Sequence, residues 1–227
     1  GRAGGVVGDA ANALLTIAFV LVVVAQCRKP RWLPGRLILM GMNRSHLALT
    51  RWGLAGVDVA TNATILDVGC GGGRTIQTLA SLAPAGIVHG VDYAAASVAA
   101  ARRTNARSLE EGRVDIQLAS VSALPFPQDA FDLVTAVETH YYWPSLIDDL
   151  REVLRVLKPG GTLVIVAEAY RGRSMDWLYR PAMRMLRARY LTIEEHRQFL
   201  TDAGYEAVDV SVEPAKGWLR ATGRKSR

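Results

Sequence analysis

A glycine-rich segment after a short apolar run is the part of the sequence best suited to chemistry. Asp67 stands near the end of the apolar run, and Gly69, Gly71 and Gly73 follow at alternate positions. Glycine lets the backbone turn sharply at the end of a strand and approach a ligand closely, which a Cβ atom would hinder. A helical pattern begins at Arg74, and the free N–H groups at a helix start favour an anionic ligand. The segment is therefore predicted to bind a nucleotide.

The glycine spacing distinguishes one class of nucleotide from another. A dinucleotide fingerprint requires G-x-G-x-x-G, and counting from Gly69 places Arg74 where the third glycine should stand. The spacing is D-x-G-x-G-x-G instead, which argues against a nicotinamide dehydrogenase. A second apolar run ends in Asp92, at about the position where nucleotide-binding units place the carboxylate that binds ribose. Asp92 is predicted to accept hydrogen bonds from both ribose hydroxyls.

Strands and helices must alternate to hold these two carboxylates at one edge of a sheet. Further apolar runs occupy residues 114–118, 131–137 and 162–166, and helical patterns separate most of them, including one at 145–157. Alternation of this kind is typical of an α/β protein with a doubly wound, mostly parallel sheet.

Five segments together resemble a known family. They are residues 65–73, 90–92, 123–126, 131–134 and 154–161. Their order and spacing resemble class I S-adenosylmethionine-dependent methyltransferases, close to the methyltransferase type 11 group that includes quinone-biosynthesis enzymes. The resemblance covers about residues 60–170. It implies a Rossmann-like, seven-stranded sheet whose antiparallel edge is formed by residues 208–212 and 217–222, and it implies S-adenosyl-L-methionine as the cofactor.

The resemblance also assigns residues to the cofactor site. The expected cofactor-binding residues are Asp67, Gly69, Cys70, Gly71, Gly73, Asp92, Tyr93, Ser120, Val121 and Glu138. Many relatives carry an aspartate where Ser120 stands. A serine hydroxyl there can still meet the adenine amino group.

The loop after the fourth predicted strand supplies the candidate catalytic residues, Glu138 and His140. Ligands of doubly wound sheets bind beyond the carboxyl ends of the strands, so this loop is expected to line the cleft. Either residue is a candidate general base, although a histidine in a loop more often has a structural hydrogen bond. Tyr142 and Trp143 follow; their faces would attract the sulfonium cation of the cofactor, or they simply fill space under the next helix.

The expected reaction is methyl transfer to a small-molecule acceptor, lipid or quinone-like. A catalytically silent S-adenosylmethionine-binding module is the alternative, and a macromolecule methyltransferase is less favoured. Cys27 and Cys70 form no metal-binding spacing and no disulfide framework, so no metal is expected. The sequence leaves the oligomeric state open.

The amino-terminal residues 1–36 are interpreted as an apolar extension to a methyltransferase domain at 37–227. Residues 10–27 carry no charge, and basic residues follow them, as at the cytoplasmic end of a membrane anchor. Their length is marginal, because crossing the hydrocarbon requires about 20 residues. A signal peptide and a buried extension remain alternatives. The expected location is cytoplasmic, with a tether to the inner face of a membrane.

The sequence carries a net charge of +6, and six arginines crowd into residues 171–189. This stretch is interpreted either as a solvated face or as a contact for acidic lipid, nucleic acid or an anionic substrate; nucleic acid is not expected because no binding motif accompanies it.

Apolar residues between 172 and 190 indicate a substrate-facing lid or ordinary packing. Before the first strand, the resemblance suggests that His46 and Trp52 help to close the site, with core packing as the alternative for Trp52.

Overall fold

A seven-stranded sheet forms the centre of the protein. The computed structural model describes residues 47–173 and 176–227. The strands are β1 (Thr64–Val68), β2 (Ile87–Asp92), β3 (Val114–Leu118), β4 (Phe131–Val137), β5 (Leu157–Ala167), β6 (Glu206–Glu213) and β7 (Trp218–Arg224). Their order is β3-β2-β1-β4-β5-β7-β6. Strands β1 to β5 are mutually parallel, and β7 lies antiparallel between β5 and β6. The predicted fold class is confirmed.

Helices cover both faces of this sheet. They are α1 (47–54), α2 (Arg74–Leu82), α3 (Ala95–Thr104), α4 (Ala106–Glu110), α5 (Leu146–Val156), α6 (Asp176–Met185) and α7 (Ile193–Ala203). Buried side chains of α1, α2 and α3 join one apolar cluster. Those of α5, α6 and α7 join a second cluster on the other face. The sheet is doubly wound, so the carboxyl ends of its parallel strands remain the open edge.

Local signals in the sequence set the ends of α7. The side chain of Thr192 accepts a hydrogen bond from the backbone N–H of Glu195, and the Glu195 side chain accepts one from the backbone of Thr192. This reciprocal capping satisfies two N–H groups that the helix leaves free. Gly204 ends the helix with φ of 100°, in the left-handed region that glycine adopts without strain.

Strand β5 begins earlier than predicted. Leu157 already pairs with Phe131, and the next pair is Thr162 with Leu133, so the intervening residues bulge out of the ladder. Gly160 adopts φ of 77° there. The sequence predicted this strand only from Thr162, because the bulge is held by the distant Lys225: its N–H donates to Gly161 O, and its carbonyl accepts from Gly160 N, both at 3.0 Å.

Helix α1 packs closely on the central part of the sheet. A Cβ atom at Gly53 would lie 2.3 Å from Cγ2 of Val166, so the helix backbone nearly touches β5. Leu49 is completely buried, and the ring of Trp52 lies 5.9 Å from that of Trp218. The structure therefore gives Trp52 a packing contact.

The remaining predictions for the amino-terminal part fall outside the described residues. These are His46, the extension at 1–36 and the apolar run at 10–27. Among the helices of the described ranges, none has the length and apolar character needed to cross a bilayer.

Candidate active site

The glycine loop joins β1 to α2 in a conformation that needs its glycines. Gly69, Gly71 and Gly73 have φ of 76°, 51° and 83°, values that side chains with a Cβ rarely adopt. A Cβ at Gly69 would lie 2.1 Å from Oγ1 of Thr139, whereas a Cβ at Gly71 would meet nothing within 4 Å. The outer glycines therefore allow close packing, and the middle one leaves an open space above the loop.

Asp92 ties this loop to the next strand. It is the last residue of β2, and its side chain is 7% exposed. Oδ2 accepts a hydrogen bond from Gly71 N at 3.0 Å, and Oδ1 accepts one from Ala94 N at 2.8 Å. Burial raises the pKa of this carboxyl group, and the two backbone hydrogen bonds oppose that rise. The Ser97 side chain makes a third hydrogen bond to this carboxyl group. Since a carboxylate has about four lone-pair sites, capacity remains for a hydrogen bond from a ligand.

A cleft opens beside Asp92 at the carboxyl edge of the sheet. Its empty volume is about 730 Å³, including the mouth that opens to solvent. The lining comes from the ends of β1 and β2, the segment after β3 and the loop after β4; its members are Val68, Gly69, Val91, Asp92, Tyr93, Ala119, Ser120, Val121, Thr139, Tyr142, Trp143 and Pro144. Most of this surface is apolar, and Asp92 supplies the carboxylate.

Comparison with known proteins identifies the domain that builds this cleft. Residues 66–165 match the family described as a methyltransferase domain. Methyltransferase GfsG of Streptomyces halstedii is 37% identical over 121 residues, which are 53% of this chain and 43% of that protein. The ubiquinone/menaquinone biosynthesis C-methyltransferase UbiE of Geotalea daltonii is 31% identical over 132 residues, covering 58% of this chain and 55% of that protein. The chain thus spans about half the length of these relatives.

A solved structure agrees with the sequence comparisons. Human N-acetylserotonin methyltransferase in complex with S-adenosylmethionine superposes with a TM-score of 0.69 at 21% identity, over 85% of this chain and 56% of that one. Residues 66–165 are a methyltransferase domain, and the fold around them is shared with this S-adenosylmethionine-bound methyltransferase. The recognition made from the sequence is confirmed.

The residues predicted to hold the cofactor in the methyltransferase domain divide into two groups. Those that line the cleft are Gly69, Asp92, Tyr93, Ser120 and Val121. Those that lie beside or beneath the lining are Asp67, Cys70, Gly71, Gly73 and Glu138. The chemistry of the first group fits a nucleoside, because it offers a carboxylate for ribose hydroxyls, a serine hydroxyl for a base and apolar side chains for its faces. The space left by Gly71 fits a ligand that approaches the backbone.

Several lining residues were missed by sequence reasoning. They are Val68, Val91, Ala119, Thr139 and Pro144. Val68 and Val91 are register partners on adjacent strands, so a pairing of β1 with β2 would have brought them together. Thr139 fills the space that Gly69 leaves, which no local pattern in the sequence indicates.

Asp67 supports the glycine loop from below. It is 2% exposed, and Oγ1 of Thr135 on the neighbouring strand β4 donates a hydrogen bond to Oδ1 at 2.7 Å. Burial raises the pKa of the Asp67 carboxyl group to about 7, against the opposing effect of that hydrogen bond. The site therefore keeps a second carboxyl group close to the loop, shielded from solvent.

Glu138 connects the carboxyl ends of β4 and β5. Its φ is 57°, an uncommon value for a residue other than glycine. Oε1 accepts hydrogen bonds from the Tyr141 hydroxyl, at 2.8 Å, and from the backbone N–H of Glu168. Burial raises the pKa of the carboxyl group to about 7. A carboxyl group with this pKa exchanges protons near neutral pH, as a general base must.

His140 lies in a 3₁₀ turn, His140–Tyr142, and points away from the cleft lining. It is 1% exposed, and its Nε2 lies 3.0 Å from Nε2 of His196 on α7. The other ring nitrogen of His196, Nδ1, lies 2.6 Å from Thr192 O. A carbonyl oxygen only accepts, so His196 Nδ1 carries a proton. In the neutral pair, His140 Nε2–H then donates to His196 Nε2.

Burial lowers the pKa of both histidines, and for His140 the nearby His196 lowers it further. The buried pair is thus held neutral. Within the described ranges, no group of three or more His, Cys, Asp or Glu side chains could hold a metal ion.

The first prediction concerns the pH dependence of stability. The histidines of the unfolded chain bind protons below a pKa of about 6.5, whereas those of the folded protein do not. The neutral pair therefore makes its full contribution to the free energy of unfolding above that pH and loses it as the pH falls below it. The loss reaches about 1.4 kcal/mol per pH unit for each histidine. We expect the His140→Phe/His196→Gln double variant to show a shallower acid loss than the wild type.

Denaturant unfolding at several pH values measures this difference. The buried carboxyl groups Asp67 and Glu138 titrate in both proteins, so subtracting one curve from the other isolates the histidines. Parallel curves below pH 6.5 would contradict the neutral pair.

Proposed function

We propose that this protein is an enzyme that transfers a methyl group from S-adenosyl-L-methionine to a small-molecule acceptor, with a quinone-like or lipid acceptor favoured. The observation that carries the proposal is the cleft in which Asp92 closes the glycine loop at the end of β2. The named functions of the matched relatives support methyl transfer. One of them acts on ubiquinone or menaquinone precursors by its name, which supports the acceptor class.

The proposed cofactor contacts follow from the cleft. Asp92 accepts hydrogen bonds from the ribose hydroxyls, and Ser120 meets the adenine amino group. Backbone N–H groups of the glycine loop and the buried carboxyl group of Asp67 hold the amino-acid end. Tyr142 and Trp143 form an apolar wall that keeps water away from the reacting centre.

The protein accelerates the reaction mainly by positioning. The cofactor, when bound, supplies a methyl group that is already activated by the sulfonium charge. Holding the acceptor in line with that group lowers the barrier by up to about 7–11 kcal/mol. The translational and rotational entropy is then lost when the acceptor binds and not in the chemical step. Glu138 then receives the proton of a hydroxyl or an acidic C–H group of the acceptor. Its pKa near 7 suits this role better than the buried, neutral His140 does.

The second prediction tests Asp92. We expect Asp92→Ala to weaken S-adenosylmethionine binding by about 1.5–3 kcal/mol, because it removes charge-assisted hydrogen bonds to ribose and releases the amide of Gly71. Isothermal calorimetry measures the affinity. Asp115→Ala, on the neighbouring strand β3 and outside the cleft lining, is the matched control and should bind like the wild type. If Asp92→Ala binds S-adenosylmethionine as tightly as the wild type does, Asp92 does not contact the cofactor.

The third prediction tests Glu138 as the base. A base must be ionised, so turnover by the wild type should rise with pH through about 7 and then level off. Glu138→Gln should lower turnover by about a hundredfold or more and lose this dependence, while cofactor affinity changes little. The glutamine amide oxygen can still accept from Tyr141, which preserves the local structure.

Transfer of tritium from labelled cofactor to a panel of quinols and lipids measures turnover. His140→Ala serves as the comparison variant, and we expect it to lose thermal stability while it keeps the pH profile. If the acid limb disappears in His140→Ala and persists in Glu138→Gln, the base is His140.

The fourth prediction concerns location. We propose that the protein works in the cytoplasm and is tethered to the membrane by residues 10–27, since the cofactor is cytoplasmic and basic residues follow the apolar run. A chain that begins at Leu37 should then move from the membrane fraction to the supernatant and still bind cofactor, because the cleft residues all lie downstream. Aggregation or loss of binding would show that the apolar run belongs to the domain core.

A further inference from the structure

Exposed basic side chains precede and follow one exposed apolar side chain at and after the end of α6. We call this group the basic patch; its members are Arg180, Arg184, Met185, Arg187 and Arg189. Arg180 and Arg184 are four residues apart and share a helix face. Met185 is 42% exposed, so the arginines of this segment have an apolar side chain among them at the surface.

The charge of the basic patch is largely uncompensated. Arg180 pairs with Asp176 at 2.7 Å. Arg184, Arg187 and Arg189 have no ion pair with any side chain in the described ranges 47–173 and 176–227. The arginines at this end therefore present positive charge to whatever approaches the surface.

Backbone contacts hold the basic patch beside the cleft. Met183 is 5% exposed and anchors α6 in the core, and its carbonyl accepts from Ala188 N at 2.9 Å. Arg189 N donates to Tyr141 O at 2.9 Å, and its Nη2 donates to Pro144 O at 3.1 Å. Pro144 is part of the cleft lining. The patch is thus attached to the outer side of the cleft wall.

We propose that the basic patch docks this protein on an anionic lipid bilayer, with the mouth of the cleft beside the lipid surface. A bilayer uses both features of the patch, because its headgroups attract the arginines and its acyl boundary accepts the methionine. In a complex with nucleic acid, the phosphates would bind the arginines, but the methionine would have no apolar partner. This surface is separate from residues 10–27, and docking there does not depend on which acceptor is methylated.

The fifth prediction tests docking with vesicles and the full-length chain. Vesicles of phosphatidylcholine alone and vesicles with added phosphatidylglycerol are compared by flotation at low and high salt. We expect binding to increase with phosphatidylglycerol and to weaken at high salt, since screening shortens the reach of surface charge to about 3 Å at 1 M. Arg184→Gln/Arg187→Gln should bind about thirtyfold less tightly, because each basic residue near an anionic surface contributes about 1 kcal/mol, or roughly fivefold.

Two matched variants show whether position and apolar character matter. Arg103→Gln/Arg224→Gln removes the same charge from exposed sites elsewhere and should bind like the wild type. Met185→Ser should weaken binding while its salt dependence remains. Unchanged calorimetric affinity for S-adenosylmethionine confirms that each variant is folded.

Three results would overturn the proposal. Equal losses in the two double variants would show that only net charge acts. If vesicle binding did not change with lipid charge, with salt or in any of these variants, membrane attachment would be due to the apolar run at 10–27 alone. If the patch variant lost affinity for duplex DNA and kept its affinity for vesicles, the surface would belong to nucleic acid.

Discussion

The hydrogen bond from Gly71 N to Asp92 Oδ2 is the interaction on which the cleft depends. It joins the turn after β1 to the end of β2, beside the backbone hydrogen bonds that Gly69 N and Cys70 N donate to Val91 O. Without it, the left-handed backbone at residues 69–73 would have no side-chain support from β2. The carboxylate that closes the loop also lines the cleft, so the loop structure and the proposed ribose contact depend on the same group.

Burial of carboxyl groups at three strand ends gives the site its electrostatic character. Asp67, Asp92 and Glu138 stand at or next to the ends of β1, β2 and β4, and burial raises the pKa of each. Ionising such groups in a poorly solvated site costs free energy that a nearby cation reduces. A cationic ligand is therefore stabilised here, which supports the proposed binding of S-adenosylmethionine through its sulfonium and ammonium charges. With pKa values of about 7, Asp67 and Glu138 are partly protonated near neutral pH until a cation arrives.

The sequence predicted the parts of the site that depend on local patterns. Glycine spacing identified the loop, and an apolar run ending in a carboxylate identified Asp92. The bulge in β5 was missed because it is held by Lys225, a residue beyond the end of β7. The partner of His140 is 56 positions away on α7, and no pattern around either histidine indicates the contact. Features set by neighbouring residues could therefore be predicted from the sequence, whereas contacts between distant segments could be found only in the folded structure.

The loop after β4 connects the cleft lining to the end of β5 and to α7. Its first residue, Glu138, is bonded to Glu168 N after β5, and His140 is bonded to α7 on the opposite side of the loop. Thr139 and Trp143, close by, line the cleft. A loop held from both sides leaves these residues little freedom, so the cleft wall is positioned before any ligand binds. Such preorganisation is what a positioning mechanism requires, because freedom removed by the fold does not have to be removed at the moment of reaction.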